Sequence, residues 1–319
     1  MPATLDEYRI ETGTIESSQS IPLSDALTAW RREAQVGFLD NGRYRCRFFV
    51  WGTGQPLVFV HGMSDQARCF VPVIAHLKEH FRCIAYELPT GETDGAALTR
   101  LRHTDLVDDL LDLIDHLRLG QVCLYGGSFG STIALAALRT RPRTFLRAAM
   151  HGAFARRKLA PAERILATMA LHWKGPIRRV PLRAAVQRRT DAHAFAAAPE
   201  TWDYQRANTA GTPVRALAHR ALLIDRLDLR PILQSIRHPI LLVAGDRDTL
   251  VSGSAVRELA NGLPHADLLE FQNCGHYPQY THAGGLAEAL RRFLVPPCGI
   301  DRSKEPCRQA PETSTEHHK

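Results

Sequence analysis

From residue 45 to 152 short apolar runs alternate with helix-patterned stretches, and few folds accept that order. Consecutive strands that lie parallel cannot be joined by a tight turn, so each needs a crossover, usually a helix packed on the sheet. Pro56 to Val60, Phe81 to Tyr86, Val122 to Tyr125 and Phe145 to Met150 read as buried strands. Between them, His103 to Leu117 sets Leu106, Leu110, Leu111, Leu113 and Ile114 on one face, with Asp105, Asp108, Asp109 and Asp112 largely opposite. Phe129 to Leu138 reads as a second helix. From about Ala153 to Arg237 strand character is lost, and Ala- and Arg-rich stretches are broken by Pro161, Pro176, Pro181, Pro199 and Pro213. Strands return at Pro239 to Ala244 and Ala266 to Phe271, before a helical pattern from Gly285 to Leu294. The expected architecture is α/β: a mostly parallel central sheet with flanking helices and an inserted helical cap. Its expected parts are an N-terminal extension over 1–35 with one helix at Leu23 to Glu33, a core over 36–152 and 238–295, a cap over 153–237, and a disordered tail over 296–319.

Composition narrows the class. The chain has 319 residues, 45% hydrophobic and 23% charged, which fits a folded globular protein and excludes a fibrous or largely disordered one. It contains no apolar run of about 18 residues, and Asp6, Glu7, Glu11 and Glu16 stand where a secretory signal would be basic and then apolar. Membrane insertion and secretion are therefore not expected. Seven cysteines (Cys46, Cys69, Cys83, Cys123, Cys274, Cys298 and Cys307) show neither zinc-type spacing nor an even count, which suits free thiols in the cytoplasm. No internal repeat is evident.

Gly126-Gly127-Ser128-Phe129-Gly130 lies between a strand and a helix. A nucleophile on a sharp strand-to-helix turn needs small neighbours so that the two elements can approach, and the helix N-terminus favours developing negative charge. A serine hydroxyl also needs a histidine base, which a carboxylate orients. Gly245-Asp246-Arg247-Asp248 follows one later strand and Asn273-Cys274-Gly275-His276 follows another, so Ser128, Asp248 and His276 each stand at the C-terminal end of their own strand. Asp246 competes with Asp248 on residue type alone.

With these motifs the chain resembles the capped, single-chain α/β-hydrolases from about Arg43 to Val295. The resemblance implies Asp248 as the acid, because in that family it usually stands third after the strand-ending glycine, here Gly245. It also implies an oxyanion hole made by the N–H groups of Met63, in the loop His61-Gly62-Met63, and of Phe129. After Tyr86 the run Glu87-Leu88-Pro89-Thr90-Gly91-Glu92-Thr93-Asp94-Gly95 departs from the family's usual loop. A serine at position 128 sets the chain apart from dehalogenases and epoxide hydrolases, which use an aspartate nucleophile. Gly126 to Leu135 is similar to proline iminopeptidases, yet His61-Gly62-Met63-Ser64-Asp65 lacks their His-Gly-Gly-Pro-Gly loop.

The segment 153–237 carries 16 Arg plus Lys against 6 Asp plus Glu, an excess of 10 in a chain whose net charge is +7. That concentration suggests an anionic substrate, set against the plainer alternative of arginines solvating helix faces. The pairs Arg156-Arg157, Arg178-Arg179 and Arg188-Arg189 lack interleaved aromatics, so no nucleic-acid partner is expected. Trp173, Phe195, Trp202 and Tyr204 are candidates for an acyl pocket.

The expected activity is hydrolysis of a small-molecule carboxylic ester through an acyl-enzyme, with no metal or organic cofactor. The alternatives are a proline-iminopeptidase-like peptidase, an acyltransferase on the same triad, and a ligand-binding receptor with vestigial catalysis. Oligomeric state is left open.

Overall fold

The computed structural model describes residues 21–181, 192–195 and 198–295. The expected tail over 296–319 and the pair Arg188-Arg189 lie outside the described residues.

Strands β1 (Gln35–Asp40), β2 (Arg45–Trp51), β3 (Gln55–Val60), β4 (Phe81–Tyr86), β5 (Val122–Gly127), β6 (Phe145–His151), β7 (Ile240–Gly245) and β8 (Ala266–Phe271) form one sheet. Its order is β1-β2-β4-β3-β5-β6-β7-β8, antiparallel at β1–β2 and β2–β4 and parallel elsewhere. Two of these strands, β1 and β2, add to the expected set. Edge strand β1 has no fully buried residue, so it lacks the apolar run by which the inner strands are recognised.

Side chains alternate across a strand, and here they feed two cores. Val58, Val60, Leu124, Ala148 and Leu242 point to one face, covered by α3 (His103–His116) and α4 (Phe129–Thr140). Leu57, Phe59, Tyr125, Ala149 and Leu241 point to the other, covered by α1 (Leu23–Glu33) and α2 (Val71–Leu77). Between β6 and β7 the described residues hold α5 (Pro161–Ala170), α6 (Pro199–Ala210) and α7 (Val214–Arg226), with short 3-10 turns and no strand. Pro161 and Pro199 stand first in α5 and α6, where a missing N–H costs nothing. After β7 come α8 (Gly253–Gly262), then β8, a single turn α9 (Pro278–Thr281) and α10 (Ala283–Leu294). Helices α2 and α8 were not expected from the sequence: α2 has only seven residues, and α8 opens on Gly253-Ser254. No helix among the described residues is long and apolar enough to cross a membrane.

Candidate active site

The sheet's C-terminal edge gathers the candidate residues. Strand β5 ends at Gly127, and Ser128 turns the chain into α4 with φ 49° and ψ −114°, a conformation that an L-residue adopts only under constraint. The Ser128 N–H donates to the His151 carbonyl at 2.8 Å, so β5 stays tied to β6 through the turn. The flanking glycines are sterically required. A Cβ on Gly130 would stand 2.2 Å from the Val60 carbonyl oxygen, and one on Gly126 would stand 2.8 Å from Ser131 Cα.

Asp248 and His276 meet across β7 and β8, with His276 Nδ1 2.7 Å from Asp248 Oδ2 and both side chains buried. Asp248 Oδ1 accepts the N–H groups of Leu250 and Val251 at 2.8 and 2.9 Å. Burial alone would raise its pKa; the hydrogen bond and charge of His276, with these two N–H donors, override that and hold the carboxyl below its ordinary value. Asp246 serves elsewhere: its Oδ1 accepts the Cys274 N–H at 2.9 Å and so shapes the loop that delivers His276. His276 lies over Gly152, where a Cβ would stand 2.5 Å from His276 Cε1, and Gly152 directly follows the residue whose carbonyl receives Ser128 N–H. Elbow and histidine loop thus converge on one place.

Phe129 directly follows Ser128, and Met63 follows Gly62, where an added Cβ would stand 3.5 Å from Ser128 Cβ. Phe129 is the first residue of α4, where an N–H has no carbonyl partner within the helix. The loop carrying Met63 is braced from two sides. His61 accepts the Leu88 N–H on Nε2 at 3.1 Å, and its Nδ1 lies 2.8 Å from the Gly62 carbonyl. Burial first, then the nearby Arg220 charge, pushes its pKa down to about 3, so the ring is neutral. Arg220 of α7 reaches in from the other side, donating to the carbonyls of Met63 (2.6 Å), Leu88 (3.2 Å) and Pro89 (3.3 Å). From the sequence Arg220 was one basic residue among 16; only its 2% exposure distinguishes it. Arg220→Leu is expected to leave two buried carbonyls and the part-buried Met63 carbonyl short of a donor, costing about 3 kcal/mol or more in urea unfolding, and to lower kcat more than it raises KM.

The atypical loop after Tyr86 is closed by Asp94, whose carboxylate accepts Thr90 N–H at 2.6 Å, Thr90 Oγ1 at 2.8 Å and the Gly91 and Ala96 N–H groups at 3.1 Å. It borders a cavity of about 600 Å³ whose buried wall includes Asp65, Leu88 and Arg220, and whose exposed lining includes Phe38, Arg45 and Arg178. Asp65 was not singled out from the sequence, where it is one acid in a loop. In the fold it is 6% exposed, and burial pushes its pKa up to about 6.

The four aromatics considered for an acyl pocket separate. Phe195 packs on Trp202 and Tyr277 with ring centroids at 5.0 and 5.7 Å, and Tyr204 lies 5.9 Å from Tyr280. Trp173 stands apart, 48% exposed. None of the four lines the 600 Å³ cavity. Among the described residues no group of three or more His, Cys, Asp or Glu side chains could hold a metal ion.

Residues 55–283 match the model of the alpha/beta hydrolase fold family, and the chain belongs to that family. Among curated relatives, it is 24% identical over 259 residues to the (E)-2-((N-methylformamido)methylene)succinate hydrolase of Acinetobacter baylyi, covering 80% of this chain and 96% of that one. It is 29% identical over 257 residues to the pimeloyl-[acyl-carrier protein] methyl ester esterase of Xanthomonas campestris pv. campestris, covering 77% and 97%. Among solved structures, a thermophilic esterase from Thermogutta terrifontis aligns with TM-score 0.71 at 20% identity, over 82% of this chain and 98% of that one. The enol-lactonase from Burkholderia xenovorans aligns with TM-score 0.70 at 21% identity, over 81% and 99%.

Proposed function

We propose that the chain is a serine hydrolase of carboxylic esters, in which the core over 36–152 and 238–295 carries Ser128, Asp248 and His276 beneath a cap formed by 153–237. The observation that carries this reading is the buried 2.7 Å pair of His276 and Asp248, brought to the edge of a sheet whose central strand ends in Ser128 at positive φ. Ser128 Oγ attacks the ester carbonyl while His276 Nε2 takes its proton. The tetrahedral oxyanion is held by the N–H groups of Met63 and Phe129, each such donor being worth about 3 kcal/mol in the transition state. His276 then gives the proton to the leaving alcohol, and in the second half-reaction it activates water against the acyl-enzyme. Asp248, kept ionised, fixes the imidazole tautomer and stabilises the imidazolium. The esterase relative adds support for ester over amide substrates.

A panel of p-nitrophenyl esters of increasing chain length, with fluorophosphonate labelling of Ser128, tests the reading. Labelling at any other residue, or none, would exclude it.

The basic excess supports an anionic substrate only in part. Several arginines of the segment are satisfied locally: Arg164 pairs with Asp225 at 2.8 Å, Arg230 with Asp228 at 2.6 Å and Arg206 with Asp203 at 3.5 Å. Arg178, by contrast, lines the cavity. The anionic member of a matched ester pair is therefore expected to lose its kcat/KM advantage as salt rises to about 0.5 M, where the Debye length is roughly 4 Å. Arg178→Gln should reproduce part of that loss at low salt. An identical salt response for both esters would reduce the basic segment to a solvated surface.

A further inference from the structure

We propose that Asp65 is a specificity-determining residue that makes the site around Ser128 select esters bearing a hydrogen-bond donor, a hydroxyl or protonated amine, within a few atoms of the scissile carbonyl. The inference rests on the serine-hydrolase reading of Ser128. A methyl group at Gly62 would stand 3.5 Å from Ser128 Cβ and 3.6 Å from Asp65 Oδ2, so the carboxylate and the nucleophile lie on either side of Gly62, beside the Met63 loop. Asp65 also lines the 600 Å³ cavity, whose lining does not include Ser128 or His276, so its carboxyl group stands between that cavity and the nucleophile loop.

Around Asp65, Oδ2 and two neighbouring amide oxygens are short of donors. Its Oδ1 takes the Tyr280 hydroxyl at 2.9 Å, and Tyr280 in turn takes Asn208 Nδ2 at 3.0 Å. Oδ2 meets Gln279 Nε2 at a long 3.5 Å. The remaining amide oxygens of these neighbours, Asn208 Oδ1 and Gln279 Oε1, are buried without a partner among the described residues. Turning the Gln279 amide over would bring its oxygen toward the carboxylate and worsen the imbalance. Arg220, the nearby buried cation, spends Nη1 and Nη2 on the Met63, Leu88 and Pro89 carbonyls, and its Nε–H is buried without a partner among the described residues. Buried acceptors without donors are costly, and a donor on the substrate relieves that cost as it binds. Burial pushes the Asp65 pKa up to about 6, against the lowering effect of the Tyr280 and Asn208 hydrogen bonds and of the His276 and Arg220 charges. A substrate whose corresponding atoms are acceptors or carboxylate oxygens would meet repulsion instead.

Methyl esters of butyrate, 3-hydroxybutyrate and 3-aminobutyrate, followed by pH-stat for the wild type, Asp65→Asn, Tyr280→Phe and Ser128→Ala, test the proposal. The wild type should favour a donor-bearing ester over butyrate by about tenfold in kcat/KM, the hydroxy and amino arms showing which donor is preferred. Asp65→Asn should bring that ratio close to one. Tyr280→Phe removes the donor to Oδ1 and should raise the ratio, which keeps the test open should Asp65→Asn not fold. A wild-type ratio of one, or an unchanged ratio in both variants, overturns the proposal. If the ratio is one while turnover still vanishes in Ser128→Ala, the proposal alone fails; if turnover survives Ser128→Ala, the serine-hydrolase reading fails and takes the proposal with it.

Discussion

Alanine at Ser128 or at His276 is expected to lower ester hydrolysis by about 10⁴- to 10⁶-fold, and the double variant should be little worse than either. The near-equality follows from the chemistry: an alkoxide equivalent forms only while Nε2 takes the serine proton, so losing either partner removes the same step. Binding and the two oxyanion donors would remain, leaving a residual rate above that of water. Ser128 heads a helix bound through its backbone, so its truncation should cost little stability, whereas His276→Ala leaves the buried Asp248 carboxylate without its partner and is checked by urea unfolding. Circular dichroism should show both variants folded, and the loss should appear in kcat. Additive effects of the two substitutions, or more than a few per cent of activity in Ser128→Ala, would falsify the assignment.

The two aspartates of the β7 loop should differ by roughly three orders of magnitude. Asp248→Asn puts an amide against His276 Nδ1 and favours the wrong imidazole tautomer, a change that costs about 10⁴ in kcat where such an acid is catalytic. Asp246→Asn keeps a carbonyl oxygen able to accept the Cys274 N–H at 2.9 Å, so a loss within about tenfold is expected, from small movements of the His276 loop. Steady-state kinetics on the two purified variants gives the ranking directly. The opposite order would move the acid to Asp246.

The inner strands were legible because a strand covered on both faces must be apolar nearly throughout: Phe81–Tyr86 comes out with the bounds expected, and β3, β5, β6 and β7 shift by one or two residues at their ends, while the half-buried edge strand Ala266–Phe271 also keeps its expected bounds. Helix α3 was legible from its acidic outer and leucine-rich inner face. At the polar edge the signal fades, since Gln35–Asp40 is stabilised by pairing with β2 rather than by burial. The aromatics show the same limit from the other side. Phe195 and Trp173 carry similar apolar surface, yet one is 2% and the other 48% exposed, and that difference depends on what packs against them.

What the sequence determined by itself is local in origin. The glycines around Ser128 are dictated by contacts between adjoining elements and by a backbone angle at one residue, so a pentapeptide between a strand and a helix is enough to announce the elbow. The strand-end positions of Asp248 and His276 follow equally from the apolar runs before them. Tertiary structure decided which of two nearby carboxylates meets His276, that Arg220 is buried against the Met63 loop, and that Asp65 and Ser128 lie on either side of Gly62. Each of these depends on segments far apart in the chain, and a side chain's desolvation and partners come from all of them at once; Arg220 and Asp65 acquire their character only where α7, the Met63 loop and the turn at Tyr280 close around the end of the sheet.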